Sequence, residues 1–231
     1  MNSVKNVNSL TAGIIVFPGS NCDRDANFAL TINGFDTKYI WHDFNQLLDF
    51  DLVFIPGGFS YGDYLRVGAL AKFSPVMNSV EKYILNKRGL VLGVCNGFQI
   101  LTEAGILPGV LTVNTSHRFI CKDVEVEVIN YDTPFINNVQ KKILTLPIAH
   151  KEGRYIVNDN KLNPKNILLK YKENPNGSFD DVAGITNEEY NVFGLMPHPE
   201  RACHSVLGNE DGNYIFQSIR RYLTSAESIN N

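Results

Sequence analysis

One continuous stretch, residues 89–105, constrains the fold of this chain more than any other. It contains the apolar run Leu90–Val94, and from Phe98 onward apolar side chains recur at helical spacing until Gly105. A short unbroken apolar run is typical of a strand that is buried on both faces of a parallel sheet. The stretch therefore predicts a buried strand that turns directly into a helix, which is a building unit of α/β folds.

The junction between that strand and that helix reads Gly93-Val-Cys95-Asn-Gly97, with a nucleophile between two glycines. A strand that turns this sharply needs small neighbours, and it holds the nucleophile above the edge of the sheet. The turn also aims the first amide groups of the helix at negative charge that develops there. A lone cysteine is most often a small buried hydrophobe, but a merely packed cysteine does not require two flanking glycines. The junction therefore favours Cys95 as a nucleophile.

Strand patterns alternate with helical patterns through the first half of the chain. Short strands are predicted over Gly13–Phe17, Thr37–Trp41 and Asp51–Ile55, and helices are predicted up to Asn33 and within Val67–Asn86. This alternation predicts an α/β fold, a doubly wound, mostly parallel sheet flanked by helices, with a flavodoxin-like core. Ligands in such sheets bind beyond the carboxyl ends of the strands.

After Pro108 the pattern changes. Val124–Val128 alternates strictly between apolar and charged residues, which indicates a half-exposed antiparallel strand. The second half is therefore expected to add a small antiparallel β excursion to the main layer and to close with an amphipathic helix over Gly212–Leu223. The other strands predicted in this half are Ile143–His150, Arg154–Val157, Ile167–Tyr171, Asp181–Ile185 and Val192–Met196.

Length and composition limit the classes of protein that the chain can represent. Its 231 residues carry a net charge of −3 and no basic cluster, so neither nucleic acid nor a membrane surface is expected as a partner. The four cysteines lie far apart without a C-x-x-C pair, which argues against a metal site and indicates a reducing, cytoplasmic location. One domain is expected over residues 12–225, between a flexible N-terminal extension at 1–11 and a C-terminal tail at 226–231.

The second chemical motif is Pro197-His198-Pro199-Glu200, which directly follows an apolar strand. The two prolines restrict the backbone and so give the imidazole a set direction. In an extended segment Glu200 projects to the same side as His198, where it can accept a hydrogen bond from the imidazole and fix its tautomer. Taken alone, His198 would be a hydrogen-bonded structural histidine. The remaining histidines lack such a partner and are interpreted as surface or hydrogen-bonding residues: His42, His117, His150 and His204.

Nucleophile, base and orienting carboxylate together predict covalent catalysis on a carbonyl compound. The thiolate of Cys95 attacks the carbonyl carbon, His198 protonates the leaving group, and water then hydrolyses the resulting thioester. The backbone amide of Asn96 is an expected oxyanion donor. A second donor is expected from the Gly57-Gly58 turn, where missing side chains let the backbone approach the substrate, although the same pair would also suit a plain turn.

Together, Gly93-Val-Cys95-Asn-Gly97-Phe-Gln99 and Pro197-His198-Pro199-Glu200 resemble the signature of the class I, or triad, glutamine amidotransferases. Three further segments, residues 17–23, 56–66 and 146–155, resemble the glutaminase subunits of phosphoribosylformylglycinamidine synthases. The resemblance covers nearly the whole chain, from Gly13 to Leu223. One departure is Lys151, where the family pattern has a small residue, usually glycine; this departure concerns a loop or a partner contact and leaves the triad untouched.

The resemblance implies that Cys95, His198 and Glu200 hydrolyse L-glutamine to glutamate and ammonia. It implies a large synthetase subunit that uses the ammonia, ATP and magnesium to make formylglycinamidine ribonucleotide from formylglycinamide ribonucleotide in purine biosynthesis, together with a small accessory subunit. This chain has no G-x-x-x-x-G-K-[ST] loop, so no cofactor is expected on it. The residues expected to bind the glutamine are Gly58, Phe59, Asn96, Gln99, Ser116 and Phe119.

Other interpretations stay open at this stage. Gln99 would also suit the first turn of a helix as a plain polar residue, and Ser116 and Phe119 would suit an ordinary loop. Within enzymes, the alternatives are the glutaminase subunit of another amidotransferase and a cysteine hydrolase on the same fold. Outside enzymes, the alternative is a catalytically silent subunit that only completes a complex.

Overall fold

The computed structural model describes residues 9–47, 49–86, 89–158 and 162–230, with side chains as far as residue 225. Within these residues the α-helices are α1 (Asp23–Ile32), α2 (Pro75–Leu85), α3 (Asn96–Glu103) and α4 (Asn213–Asn230). The strands are β1 (Thr11–Val16), β2 (Asp36–Trp41), β3 (Leu52–Ile55), β4 (Leu90–Val94), β5 (Val110–Thr112), β6 (Ile120–Val128), β7 (Ile143–His150), β8 (Arg154–Ile156), β9 (Ile167–Tyr171), β10 (Val182–Thr186) and β11 (Val192–Leu195). Residues 1–8 of the expected N-terminal extension and residue 231 of the expected tail lie outside the described residues.

One sheet joins nine of these strands in the order β2-β1-β3-β4-β11-β10-β9-β6-β7. Neighbours from β2 to β11 pair in parallel, and every later neighbour pairs antiparallel. β5 and β8 form a separate antiparallel pair. The predicted α/β fold is confirmed, and the antiparallel strands of the second half prove to extend the main sheet at one edge.

Burial explains why these segments form strands. Every residue of β3 and β4 is buried, as expected of parallel strands with helices on both faces of the sheet. In β6, Val124, Val126 and Val128 are buried while the intervening glutamates are exposed or half-buried, which confirms the predicted half-exposed strand. β5, which no pattern in the sequence predicted, is only three residues long.

The helices also follow from local sequence. α2 begins at Pro75, because proline fits the first position of a helix, where no intrahelical partner for its nitrogen is needed. The expected interruption near Pro75 is therefore a helix start. α4 buries one apolar face, with Ile215, Phe216 and Ile219 in the core, and its backbone continues beyond the predicted end at Leu223 to Asn230.

Candidate active site

The turn between β4 and α3 is as sharp as the sequence predicts. Cys95 lies between the two elements with φ of 51° and ψ of −104°, in a region that residues with a side chain rarely adopt. A side-chain carbon on Gly97 would collide with the carbonyl oxygen of Ile55, and one on Gly93 would lie 2.5 Å from Leu101 Cδ1. Both glycines are therefore required for α3 to pack this closely on the sheet, and the strained turn places the thiol at the carboxyl edge of the sheet, where it lines a cavity.

His198 and Glu200 form a buried pair just after β11. The backbone N–H of His198 donates to the carbonyl of Pro147 at 2.8 Å, and this bond anchors the segment to β7. Each of the two side chains belongs to a residue that is only 1% exposed. His198 Nδ1 donates to Glu200 Oε1 at 2.6 Å. The carboxylate thus fixes the tautomer, and Nε2 is left without a hydrogen-bond partner among the described residues.

The charges around His198 keep it protonated. Burial by itself lowers the pKa of the imidazole, but the Glu200 carboxylate and the nearby Cys95 sulfur outweigh burial and raise this pKa well above its usual value. Because the folded-state pKa is raised, the imidazolium persists at neutral pH and is lost only as the pH rises through that higher value. His198 is therefore a proton donor beside the Cys95 thiol.

A cavity of about 350 Å³ opens over Cys95 between the parallel strand ends and the end of β7. Its volume lies in the range of small-molecule sites. Six of the residues that the sequence singled out line it, namely Gly58, Phe59, Cys95, Gln99, Phe119 and His198. Residues that were not predicted as site residues line it as well, namely Asn21, Cys22, Asp63, Val67, Ala149, His150, Lys151, Glu152 and Arg201.

Two of the residues expected to bind glutamine lie outside the cavity wall. The side chain of Asn96 is buried, where its Oδ1 accepts from the backbone N–H of Ser60 at 3.2 Å and its Nδ2 donates to Gln99 at 2.9 Å. Only the backbone amide of Asn96 remains for the expected oxyanion role. Ser116 is exposed, and its Oγ accepts from the N–H of Arg118 at 3.3 Å.

Gln99 lines the cavity, but bonds inside the protein already engage its amide. Oε1 accepts from Asn96, and Nε2 donates to the backbone carbonyl of Glu152 at 2.6 Å. Gln99 therefore ties α3 to the loop that follows β7. One N–H and one lone pair of the amide remain for a ligand.

Cys22 is the first of the residues that sequence reasoning missed. It is buried at the start of α1, and Arg201 Nη2 donates to its sulfur at 2.8 Å. Cys22, His198 and Glu200 place potential metal-ligand atoms within 4.8 Å of one another. Of these side chains, the Cys22 sulfur accepts from Arg201, and His198 Nδ1 donates to Glu200 Oε1. The position of Cys22 in the sequence could have indicated a site residue, because Cys22 closely follows β1 and ligands bind at the carboxyl ends of such strands.

Asp63 and Glu152 add negative charge to the cavity wall. Burial and the neighbouring charge of Glu152 raise the pKa of Asp63 to about 6. Oδ1 of Asp63 is buried without a hydrogen-bond partner among the described residues. Asp63 also has φ of 55° in a loop with two other non-glycine residues at positive φ, Tyr61 and Leu65. No motif pointed to this carboxylate, because its role depends on a contact between two distant loops.

An α/β sheet, a cysteine on a strained turn and a buried histidine–glutamate pair are the arrangement expected of a triad amidotransferase. The chain belongs to the CobB/CobQ-like glutamine amidotransferase domain family, whose model matches residues 10–223. Among similar proteins is the phosphoribosylformylglycinamidine synthase subunit PurQ of Prochlorococcus marinus strain MIT 9312, 50% identical over 219 residues that span 92% of this chain and 99% of that protein. The subunit of the same name from Alkaliphilus metalliredigens is 51% identical over 222 residues, spanning 94% of this chain and 98% of that protein.

One solved structure is similar over nearly the whole chain. A chain in the structure of PurLQS from Thermotoga maritima matches with a TM-score of 0.88 and 49% identity, over 93% of this chain and 99% of that one. The family match, the similar sequences and the similar structure therefore all cover nearly the whole chain. In the described part of this chain, no helix combines the length and apolar character that crossing a membrane requires.

Proposed function

We infer that this chain is the glutaminase subunit of phosphoribosylformylglycinamidine synthase. It hydrolyses L-glutamine to glutamate and ammonia, and a large synthetase subunit uses the ammonia and ATP to convert formylglycinamide ribonucleotide to formylglycinamidine ribonucleotide in purine biosynthesis. A small accessory subunit belongs to the same complex. The observation that carries the assignment is the 2.6 Å bond between His198 and Glu200 beside a strained Cys95, in a chain about 50% identical to PurQ subunits over most of its length.

We propose the following roles for the triad. Cys95 attacks the carboxamide carbon, and the imidazolium of His198 gives its proton to the nitrogen as the C–N bond breaks, so that ammonia leaves and a glutamyl thioester remains. Neutral His198 then takes a proton from water, which attacks the thioester and releases glutamate. Glu200 holds Nδ1 throughout and stabilises the imidazolium. A backbone amide donor to the oxyanion typically contributes about 2.7–4 kcal/mol, a role we assign to the amide of Asn96.

The proposed glutamine contacts are those predicted residues that line the cavity. Gly58 and Phe59 form the turn after β3, and Phe119 also lines the cavity. Gln99 offers the N–H and lone pair that its internal bonds leave free. ATP and magnesium are assigned to the synthetase subunit. We also propose that residues 12–225 fold as one domain and that the protein works in the cytoplasm, which the four free cysteines support.

The assignment is tested with the chain reconstituted with a synthetase subunit and a small accessory subunit, ATP, magnesium and formylglycinamide ribonucleotide. With glutamine as nitrogen donor, Cys95→Ala should lower amidine formation by about 10⁴-fold or more, because members of a triad act as a unit. With ammonia as donor, the same variant should match the wild type. Wild-type complex that uses ammonia but releases no glutamate from glutamine would mark the chain as a silent subunit.

A further inference from the structure

His150 is a second buried histidine in the cavity wall, and the triad makes no use of it. It is the last residue of β7, and the backbone just before it contacts both catalytic residues. The carbonyl of Pro147 accepts from the His198 N–H at 2.8 Å, and the Cys95 sulfur lies 3.9 Å from the carbonyl oxygen of Ala149. Only 3% of His150 is exposed, and the residue lines the cavity.

The hydrogen bonds of Asn114 determine which nitrogen of His150 carries the proton. Asn114 Nδ2 donates to the carbonyls of Arg118 and His150 at 2.9 and 3.0 Å, so the amide orientation is fixed. Asn114 Oδ1 accepts from the Gly153 N–H at 3.1 Å and lies 3.2 Å from His150 Nδ1. An acceptor oxygen at that distance requires a proton on Nδ1. In the neutral ring, Nε2 therefore carries a lone pair.

The lone pair on His150 Nε2 has no partner. Nε2 is buried and makes no hydrogen bond among the described residues, a condition it shares with Nε2 of His198, and both histidines line the cavity. Burial and repulsion from His198 lower the pKa of His150 to about 4, so the ring stays neutral at physiological pH. Leaving a buried acceptor unpaired destabilises a protein. The surroundings of His198 favour its protonated form, and those of His150 favour its neutral form. Such a difference indicates that His198 is a proton donor and His150 a hydrogen-bond acceptor.

We propose that His150 contacts the substrate directly: its Nε2 accepts a hydrogen bond from the carboxamide NH₂ group of glutamine and then from the departing ammonia. The proposal rests on the glutaminase activity proposed above. A carboxamide nitrogen offers two N–H donors, and a bond from one of them to His150 turns the nitrogen lone pair toward the His198 proton as the tetrahedral intermediate forms. His150 itself forms and breaks no covalent bond.

The same contact separates substrate from product. The γ-carboxylate of glutamate offers only acceptors, so its oxygens repel the His150 lone pair where the NH₂ group of glutamine binds it. A γ-methyl ester of glutamate has no N–H either, yet Cys95 attacks it by the same route, with methanol leaving on a proton from His198. His150 is thus predicted to increase kcat/KM for the amide relative to kcat/KM for the ester.

The test compares kcat/KM for glutamine and for glutamate γ-methyl ester in the reconstituted complex. His150→Asn keeps a donor for Asn114 and removes the acceptor at Nε2, so the value for glutamine should fall by about 10- to 100-fold, as expected for an unpaired N–H donor, while the ester value stays within about threefold of the wild type. His150→Gln restores an acceptor oxygen near the Nε2 position and should recover most of the loss. His204→Asn, outside the cavity, is the matched control and should change neither value.

Equal losses on amide and ester would make His150 a structural residue and overturn the proposal, as would no loss on either. A measurement on Cys95→Ser avoids any folding defect of the His150 variants. In this variant, the ¹⁵N resonance of His150 Nε2 should shift when glutamine is added and stay unchanged with glutamate, and no shift with glutamine would also refute the contact. Absence of glutamine hydrolysis by the wild type would instead refute the glutaminase function itself.

Discussion

The two walls of the cavity are built by different halves of the sheet, and they differ in chemistry. The parallel half supplies Cys95 and His198, which lie on restricted backbone at strand ends. The antiparallel half supplies the end of β7, where Nε2 of His150 has no hydrogen-bond partner in the described part of the chain. By our proposals, bond making belongs to the wall of the parallel half, the parallel wall, and recognition of the leaving nitrogen belongs to the wall of the antiparallel half, the antiparallel wall.

The difference between the two walls indicates how substrate specificity can be added to a general catalytic unit. The parallel wall needs only a strained turn and a histidine–carboxylate pair, so it suits any acyl transfer through a thioester. The antiparallel wall adds an acceptor that suits an amide nitrogen and disfavours a carboxylate. Variants of each wall should therefore give different patterns on amide and ester substrates.

The largest effect is expected from the acid–base pair of the parallel wall. His198→Ala should lower kcat/KM for glutamine by about 10⁴-fold, because it removes the proton donor of a cooperative unit. Glu200→Gln should cost about 10²- to 10³-fold, because a glutamine oxygen can still accept from Nδ1 but no longer raises the pKa of His198. Both variants should affect the ester as much as the amide. Identical losses in the two variants would contradict the orienting role of Glu200.

A smaller loss is expected from Gly57→Ala, which displaces the parallel wall without removing a functional group. An added side-chain carbon would lie 2.8 Å from His198 Cε1 and 3.1 Å from the Cys22 sulfur. Because a shift of about 1 Å in a catalytic group can cost about 10²-fold, a loss of that size is expected for both substrates. Steady-state kinetics on glutamine and the γ-methyl ester check this, and a variant with wild-type kcat would show that His198 tolerates the shift.

Gly153→Ala applies the same disturbance to the antiparallel wall. Its added carbon would collide with the His150 ring, and the Gly153 N–H also fixes Asn114. The value of kcat/KM for glutamine is expected to fall by about 10-fold, which corresponds to about 1.4 kcal/mol, while the value for the ester should change little. A loss that is equal on both substrates would show that the two walls do not divide the chemistry as described.

The smallest effect concerns stability and Asp63. Since burial and Glu152 raise its pKa from 3.8 to about 6, the unfolded chain loses this proton first, and stability falls as the pH rises from about 4 to 6. Asp63→Asn removes that loss of stability. Above pH 6 it should raise the free energy of unfolding by about 1 kcal/mol or less, because the carboxyl group is half solvated, and so raise Tm by a few degrees. Melting curves at pH 4 and pH 7.5 separate this from any pH-independent gain. A lower Tm at pH 7.5 would show that ionised Asp63 is stabilised in the fold.

The sequence predicts the parallel wall well because its information is local. Two glycines beside Cys95 and two prolines beside His198 restrict the backbone within a few residues, so a motif suffices to place each side chain near a strand end. The short apolar runs of β3 and β4 predict buried strands for the same reason.

The antiparallel wall was not predictable in this way because it depends on long-range contacts. The tautomer of His150 is set by Asn114, 36 positions earlier. The pKa of Asp63 depends on Glu152, far along the chain, and the sulfur of Cys22 is bound by Arg201, 179 positions away. Ser116 lies outside the cavity wall for a related reason: it is a loop residue, and no local feature of the sequence fixes the direction of its side chain.

The central claim is that Cys95, and no other group in the cavity, carries the glutamyl thioester. The most direct measurement is an acid quench of the complex during turnover of labelled glutamine, followed by mass spectrometry of the cysteine-containing peptides. We expect one glutamyl group on the peptide that contains Cys95, with labelling unchanged in Cys22→Ser and absent in Cys95→Ser. Label on Cys22, or steady release of glutamate by Cys95→Ser, would contradict it.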